Sequence, residues 1–399
     1  MTYQRRFARR WRLARAEGNV EYRRLGRTGL KISPISLGSW TTYGGSVDEA
    51  ASARIVHRAF ELGVNLFDTA DVYVRGAAET ALGKAIKSLP REQIVIATKV
   101  MGRVWDGPLG AGLSRKHIFD AIDQSLRRLG TDYVDLYQLH APDHDTPLDE
   151  TLRAMDDLVR MGKVRYVGYS NFDHHAPLDR RVVEMQRERG WDVMVSSQPR
   201  WNLLDRHIEK DHVGFCRRTG IGLLVYSPLA QGVLTNKYAG GAVPEGSRAT
   251  GRFAHFLTSE KALTPENAAA AERFAAWVAG RGLPGPAPVA LAWVLRHTEV
   301  STALIGATSV DQLEQNLKAL EITLSDADVR GIEAAIAGRA QRATGAKRGG
   351  AARKVASGTR KPAGRARKVA AGARHKTAGR ARTAAVIARH KPDSGRKGR

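Results

Sequence analysis

The 399-residue chain contains one cysteine, Cys216, and has no continuous apolar run long enough for a transmembrane helix. A lone cysteine excludes an intramolecular disulfide and fits a reducing cytoplasm, where we expect the protein to be located. The missing apolar run excludes a membrane-spanning helix, which needs about 18 such residues. The Arg-rich start of the sequence also lacks the apolar segment of a secretory signal.

Acidic residues are scarce in two segments of the chain. Residues 1–20 hold six arginines and one glutamate, and residues 339–399 hold 20 lysines and arginines, one aspartate and no aromatic residue. Residues 21–338 hold 38 basic and 38 acidic residues. The net charge of +24 therefore describes the two outer segments. It does not indicate a basic surface on the middle segment.

We therefore predict three parts: an Arg-rich extension over residues 1–20, a folded domain over 21–338, and a disordered tail over 339–399. Two interpretations of the first part stay open. It is either an extension without a fixed structure, such as one added by an upstream start codon, or an amphipathic helix that binds a surface.

The tail contains an internal repeat. Residues 364–378 (GRARKVAAGARHKTA) and 379–393 (GRARTAAVIARHKPD) match at 9 of 15 positions. Such a segment cannot bury enough apolar surface to fold alone. It resembles the basic repeat tails of linker histones and some bacterial nucleoid proteins, which implies sequence-independent binding of DNA or RNA through phosphate neutralisation. A solvated tail without a partner is the alternative. His375 and His390 recur in the repeat, but two histidines do not indicate metal binding, and we predict no metal site.

Strand-like and helix-like segments alternate along residues 21–338. Single helices between strands predict a parallel sheet, and the spacing gives eight strands. No GxGxxG motif follows the first strand, which argues against a doubly wound sheet. We therefore predict an α/β fold, a (β/α)8 TIM barrel, preceded by a β-hairpin over 21–33 that turns at 27–29. The predicted helices span residues 48–62, 77–89, 114–129, 148–161, 178–189 and 206–218. A longer helical insertion before the last strand holds extra material, including 244–252, 264–280 and 286–297.

Polar residues stand at or just after the ends of three of these strands. Asp68 lies within NLFDTAD and Tyr73 just after it, Lys99 ends IVIATK, and His140 ends DLYQLH. The carboxyl ends of barrel strands meet at one rim, so these side chains can form one proton-handling site. Tyr73 is the candidate general acid, because Lys99 can lower the pKa of its phenol. Asp68 would hold Lys99 in place, and His140 could hydrogen-bond a carbonyl oxygen.

Each of these residues alone also has an ordinary structural explanation. Asp68 could be a helix cap, Tyr73 a loop aromatic, Lys99 a solvated strand end, and His140 a satisfied strand-end histidine. Four such coincidences in this order are much less probable than one site. We therefore interpret the four residues as catalytic.

Further short motifs surround these residues. They are LFDTADVY and ETALG within 66–83, ATK at 97–99, LYQLH at 136–140, GYSNF at 168–172, SQPRWNL at 197–203, YSPLAQGVLTNKY at 226–238, SRA at 247–249 and LIGATSVDQLEQN at 304–316. Together these motifs resemble the aldo-keto reductase family, in particular its branch of potassium-channel β-subunit-like and bacterial oxidoreductases, and they run in family order over about residues 21–338. The resemblance implies a (β/α)8 barrel whose floor is closed by the hairpin, and NADPH-dependent reduction of an aldehyde or ketone, with NADH as a possible substitute.

The resemblance also implies which residues bind the cofactor. Ser170, Asn171 and Gln198 correspond to positions that hold the nicotinamide carboxamide, and Tyr226 to the position on which the ring stacks. The pyrophosphate would be wrapped by Ser227, Pro228, Leu229, Ala230 and Gln231, with Lys237 and Arg248 at the phosphates. The adenosine end would be lined by Gly306, Thr308, Gln312, Gln315 and Asn316. Family members often have Glu where Gln315 stands. Asp68 and Trp40 are further expected cofactor contacts.

Four aromatic residues are expected to wall the substrate pocket: Trp40, Tyr43, Trp105 and Trp201. Aromatic walls suit flat or apolar carbonyls without naming one. Arg200, beside Trp201, could meet an anionic substrate or be an ordinary rim charge. A second function also stays open, in which a reductase-fold protein senses nucleotide redox state while its basic tail holds it on nucleic acid or another anionic partner.

Overall fold

The computed structural model describes residues 20–338 except His175 and Glu260. The predicted extension over 1–20, apart from Val20, and the predicted tail over 339–399 lie outside the described residues. Eight parallel strands form a closed barrel in the order β10-β3-β4-β5-β6-β7-β8-β9, which confirms the predicted (β/α)8 fold. The barrel strands are β3 Ile35–Gly38, β4 Leu66–Asp68, β5 Val95–Val100, β6 Val134–Leu139, β7 Val164–Ser170, β8 Ser196–Gln198, β9 Gly222–Val225 and β10 Val300–Ile305.

Helices pack around the barrel, and several begin and end at the residues that the sequence indicates. Asp48 caps the first helix by accepting from the Ala51 N–H, and Ser114 caps the third by accepting from the His117 N–H. Gly130, in the left-handed conformation, ends the third helix. The helices are α1 Glu49–Glu61, α2 Ala77–Ile86, α3 Arg115–Leu129, α4 Leu148–Arg160, α5 Ala176–Arg189, α6 His212–Thr219, α7 His255–Ser259, α8 Pro265–Gly280, α9 Pro286–Leu295, α10 Val310–Leu317 and α11 Asp326–Ile336.

One predicted helix differs from the structure. The sequence predicts a continuous helix over 206–218, but His207–Glu209 forms a separate 3-10 turn and α6 begins only at His212. The two ring nitrogens of His207 each lie 2.6 Å from a carboxylate oxygen, one of Asp173 and one of Asp205. These contacts fix the backbone before α6 in a conformation that the helical pattern does not reveal.

The N-terminal hairpin closes the floor of the barrel. Its strands, β1 Arg23–Arg24 and β2 Lys31–Ile32, pair antiparallel. Leu25 and Ile32 are buried in a small apolar cluster with residues from inside the barrel, including Leu66 and Leu136. Gly26 has a positive φ of 54°, and a Cβ there would stand 2.4 Å from the Gly220 carbonyl oxygen. Only glycine therefore allows the hairpin to sit this close to the start of β9. With this end closed, the opposite rim is left for a site.

No helix among residues 20–338 is long and apolar enough to cross a membrane.

Candidate active site

Lys99 is the centre of the polar cluster at the carboxyl ends of the strands. Its side chain is fully buried on β5. The Nζ donates to Asp68 Oδ1 at 2.6 Å, to the Thr69 carbonyl oxygen at 2.8 Å and to the Tyr73 hydroxyl oxygen at 3.2 Å. These three bonds use all three ammonium protons. Because Lys99 donates to the Tyr73 oxygen, the phenolic proton is left for another acceptor.

Asp68, the last residue of β4, is held at both oxygens. Oδ1 accepts from Lys99, while Oδ2 accepts from Gln138 Nε2 at 3.2 Å and from Gln198 Nε2 at 2.9 Å. Sequence reasoning missed Gln138. Its position, two residues before His140, was the available signal, because strand residues two apart share a face. Gln198, which is expected at the nicotinamide carboxamide, also contacts Gln138 Oε1 at 3.3 Å and accepts from Ser170 Oγ at its carbonyl oxygen.

The pKa values of Tyr73 and Lys99 follow from burial and from the charges next to them. Burial raises the pKa of the Tyr73 phenol, and the Lys99 ammonium lowers it, with a net increase. Lys99 therefore lowers the phenol pKa in the expected direction, but desolvation outweighs the ammonium in the protein alone. Burial alone would lower the pKa of Lys99, but the Asp68 carboxylate leaves it raised. At neutral pH Tyr73 is thus a protonated phenol beside a charged ammonium.

His140 follows β6 directly and faces Tyr73. The two ring centroids lie 5.5 Å apart, edge to face at 75°. Burial and the nearby Lys99 charge lower the His140 pKa to about 3. The imidazole is therefore neutral at physiological pH and can donate a hydrogen bond without carrying a charge.

Residues at the ends of β7 and β9 are hydrogen-bonded to one another and to the backbone of His140. Asn171 has a positive φ of 60° and donates from Nδ2 to the His140 carbonyl oxygen at 2.9 Å. Its Oδ1 accepts from the Tyr226 hydroxyl at 2.9 Å. Ser170 Oγ donates to the Gln198 carbonyl oxygen at 2.8 Å. The structure thus brings together three predicted nicotinamide residues, Ser170, Asn171 and Tyr226, beside His140.

The segment after β9 makes a tight turn. Ser227, Ala230 and Gln231 have positive φ values of 49°, 48° and 56°. The Ala230 N–H donates to the Ser227 carbonyl oxygen at 2.9 Å, and the Leu229 carbonyl oxygen accepts from Gly232 at 2.9 Å. Pro228 is buried inside the turn. Gly232 follows with a φ of 93°, so three consecutive residues are left-handed and the backbone is tightly curled beside the barrel rim. Tightly turned backbone of this kind can present N–H groups to an anion.

Two predicted phosphate-binding cations lie close together at this turn. Burial and the charge of Arg248 both lower the pKa of Lys237. Arg248 donates to Thr41 Oγ1 at 2.8 Å and to Gln231 Oε1 at 3.1 Å, and its guanidinium lies 4.9 Å from the centre of the Trp40 ring. Two cations that disfavour each other's charge fit a group carrying several negative charges, such as a nucleotide phosphate.

The predicted adenosine residues follow β10. Gly306 and Thr308 are exposed, and Gln312 Oε1 accepts from both the N–H and the hydroxyl of Thr308 at 3.1 Å. Gln315 is exposed on α10, whereas Asn316 is buried. The exposed members of this group lie at the rim, where a ligand could reach them.

The four predicted pocket aromatics divide into two pairs. Trp40 and Trp105 are half-buried and can contact a ligand. Tyr43 and Trp201 are 1% and 0% exposed and belong to the main hydrophobic core, so their assignment to the pocket wall is corrected. Trp201 turns inward because its ring packs 6.2 Å from Trp293 and its Nε1 donates to Glu209 Oε1 at 3.0 Å.

Arg200 also proves to be a structural residue. Its Nε donates to Asp205 Oδ2 at 2.7 Å, in the loop that follows β8. The ion pair holds this loop together, which supports the interpretation of Arg200 as a rim charge.

The comparisons agree with this geometry. Residues 34–337 match the model of the aldo/keto reductase family. The chain is 39% identical over 317 residues to a putative voltage-gated potassium channel subunit beta of Schizosaccharomyces pombe, covering 76% of this chain and 89% of the relative. It is 36% identical over 331 residues to L-glyceraldehyde 3-phosphate reductase of Escherichia coli, covering 80% and 93%. A probable voltage-gated potassium channel subunit beta of Arabidopsis thaliana is 36% identical over 327 residues, covering 76% and 92%.

The fold and the polar rim therefore define an NAD(P)H-dependent oxidoreductase that acts on small carbonyl compounds. The chain belongs to the aldo/keto reductase family.

Proposed function

We propose that this protein reduces the carbonyl of a small aldehyde or ketone to an alcohol, with NADPH as cofactor and Tyr73 as the general acid. The observation that carries the proposal is the buried Lys99 ammonium, which donates to Asp68 on one side and to the Tyr73 oxygen on the other. A buried lysine in this position has a clear chemical use, because it stabilises the phenolate that remains after Tyr73 has given up its proton.

The residues act as follows. His140, uncharged, donates a hydrogen bond to the carbonyl oxygen and orients it toward Tyr73. Tyr73 transfers its phenolic proton to that oxygen as negative charge develops there, which completes the alcohol. Lys99 then stabilises the phenolate, and Asp68 keeps the ammonium charged and in place. Bound NADPH supplies the hydride to the carbonyl carbon.

The preference for NADPH rests on charge. Lys237 and Arg248 lie beside the turn after β9, and two cations favour a nucleotide that carries an additional phosphate. Ser170, Asn171 and Tyr226 would hold the nicotinamide end. The exposed residues after β10 would hold the adenosine end. We propose that Gln198 acts at this site through Asp68, since that is the group its side chain contacts. A location in the cytoplasm fits such a reductase.

The decisive experiment replaces Tyr73 by Phe, which removes only the hydroxyl. We expect cofactor binding to be retained and turnover to fall by about 10²- to 10⁴-fold, the usual contribution of a general acid. Turnover is followed through NADPH absorbance with a panel of aldehydes, ketones and quinones that includes L-glyceraldehyde 3-phosphate. Wild-type turnover in the Tyr73→Phe protein would contradict the role of Tyr73.

A second property is proposed for the tail over residues 339–399. Its 20 basic residues against one acidic residue support sequence-independent binding of DNA or RNA by phosphate neutralisation. The neutral charge balance of residues 21–338 argues against the middle segment as the binding part, and the tail carries most of the remaining positive charge. The reductase and the tail would then be independent parts, since every proposed site residue lies between 40 and 316.

A further inference from the structure

A second polar cluster lies outside the proposed active site, in the loops that follow β7 and β8. It consists of Asp173, His174 and His207, which we call the rim cluster. One possible ligand atom from each residue lies within 4.8 Å of the other two. None of these residues takes part in the proposed reduction, so the cluster needs a separate explanation.

The rim cluster has the spacing of a metal site. His207 Nε2 lies 2.6 Å and His174 Nε2 3.5 Å from the same oxygen, Asp173 Oδ2. The two imidazole rings are stacked at 11° with their centroids 4.3 Å apart, so the exposed His174 ring would have to tilt for both nitrogens to face one ion. Ligands that bind one tetrahedral ion at about 2.0–2.2 Å stand roughly 3.3 Å from one another. The His174 distance already fits, whereas the 2.6 Å His207 contact is a hydrogen bond, whose proton an ion would have to displace as the two atoms move apart.

Asp173 supplies a second, independent observation. Its side chain is only 2% exposed, and its other oxygen, Oδ1, is buried with no hydrogen-bond partner among the described residues. A buried carboxylate oxygen without a partner is costly, and such groups usually point to a ligand or a functional role. A cavity of about 70 Å³, lined by Asp173 and His207 together with Arg180 and Lys210, has room for a water molecule.

The far side of His207 is also organised as in known metal sites. Its Nδ1 lies 2.6 Å from Asp205 Oδ1, and Asp205 Oδ2 accepts from Arg200 Nε at 2.7 Å. A carboxylate at one imidazole nitrogen fixes the ring and directs the other nitrogen at the metal. Here that other nitrogen faces Asp173 and His174.

We propose that Asp173, His174 and His207 bind a divalent transition-metal ion of the Zn²⁺ type. Two imidazoles and one carboxylate suit Zn²⁺ and its neighbours, whereas Mg²⁺ and Ca²⁺ prefer oxygen ligands. The ion would join the loop after β7, which contains Asn171, to the loop after β8. It would therefore stabilise this part of the rim and take no part in the reduction.

The test measures Zn²⁺ binding to the untagged full-length protein by isothermal titration, with Mg²⁺ as a second cation. The variant is His174→Gln, because this side chain is 56% exposed and its loss leaves the buried contacts of His207 in place. His144→Gln, also an exposed histidine, is the matched control. Zn²⁺ bound by other histidines, including His375 and His390, contributes to the titration of all three proteins and cancels in the comparison of wild type with His174→Gln.

We expect the wild type and His144→Gln to bind one more Zn²⁺ than His174→Gln, and Mg²⁺ not to compete. Asp205→Asn should weaken this site by about 10- to 100-fold, the usual effect of changing a partner of a metal ligand. Co²⁺ should give the visible absorption of a tetrahedral site in the wild type and lose it in His174→Gln. Zn²⁺ should also raise the Tm of the wild type more than that of His174→Gln.

Equal Zn²⁺ stoichiometry and affinity in wild type and His174→Gln would overturn the proposal. The rim cluster would then be an ion-pair network only. Equal binding of Mg²⁺ at the same residues would overturn the choice of metal class.

Discussion

Replacing Lys99 by Met gives the sharpest prediction for the proposed mechanism. Met keeps most of the side-chain volume and removes the ammonium that contacts Asp68 and Tyr73. In the wild type this charge stands 3.2 Å from the Tyr73 oxygen. The phenolate formed during reduction would lose its only cationic contact among the described hydrogen bonds.

The size of the effect follows from this distance. At 3.2 Å, with an effective dielectric constant of about 20, two full charges interact by about 5 kcal/mol. The phenol carries only part of its charge in the transition state, so we expect a loss of about 3–5 kcal/mol. Since each 1.36 kcal/mol is tenfold in rate, turnover should fall by about 10²- to 10⁴-fold.

The loss of Lys99 also leaves Asp68 as an unpaired buried carboxylate, which typically costs about 3–5 kcal/mol of stability. The double variant Lys99→Met, Asp68→Asn removes this charge as well. It should recover much of the lost Tm while remaining inactive. If the double variant is stable but turns over poorly, the loss of activity is due to the missing ammonium and not to unfolding.

The assay follows NADPH oxidation at saturating cofactor from about pH 6 to pH 9, with Tm measured on the same samples. The reasoning is refuted if Lys99→Met turns over like the wild type with an unchanged pH–rate profile.

Three further predictions test the remaining site and the tail. Arg248→Ala should weaken NADPH binding more than NADH binding in a fluorescence titration. Equal losses of affinity for the two cofactors would show that Arg248 does not contact the phosphate that only NADPH carries. The His140 pKa of about 3 is far below the ordinary 6.5, so the imidazole stays neutral above about pH 4. The pH–rate profile of the wild type should therefore show no inflection near pH 6.5 that is due to His140. An inflection there that disappears in His140→Gln would contradict a neutral His140. Deleting residues 339–399 should leave reductase activity unchanged and abolish most nucleic-acid binding, which should itself fall steeply with salt in gel-shift assays. Equal DNA binding by the truncated protein would show that the tail is not the binding segment.

The barrel, and the meeting of Asp68, Tyr73, Lys99 and His140 at its rim, could be predicted because they depend on local patterns. Polar residues at the ends of β4, β5 and β6 follow buried strands, and parallel strands place their carboxyl ends at one rim. The caps Asp48 and Ser114 and the stop at Gly130 likewise act within one turn of helix. Such features need no knowledge of distant contacts.

The predictions that differ from the structure concern residues whose conformation depends on contacts with distant parts of the chain. Trp201 follows a predicted site strand and looks like a pocket aromatic, but Trp293 on α9 provides the core surface against which it packs. The helix predicted over 206–218 is interrupted because Asp173, from a different loop, binds His207. Neither partner could be found from the neighbouring sequence.

The sequence by itself determined the eight-strand order, the closed barrel and the identity of the residues at its rim, because hydrophobic periodicity and strand-end polarity are local properties. Only the tertiary structure decided which of these residues are charged and which are neutral. Gln138 and Gln198 hold Asp68, burial keeps Tyr73 protonated, and burial with Lys99 keeps His140 neutral. These properties depend on which groups are brought within a few ångströms and how much water is excluded. Only the closed barrel fixes both.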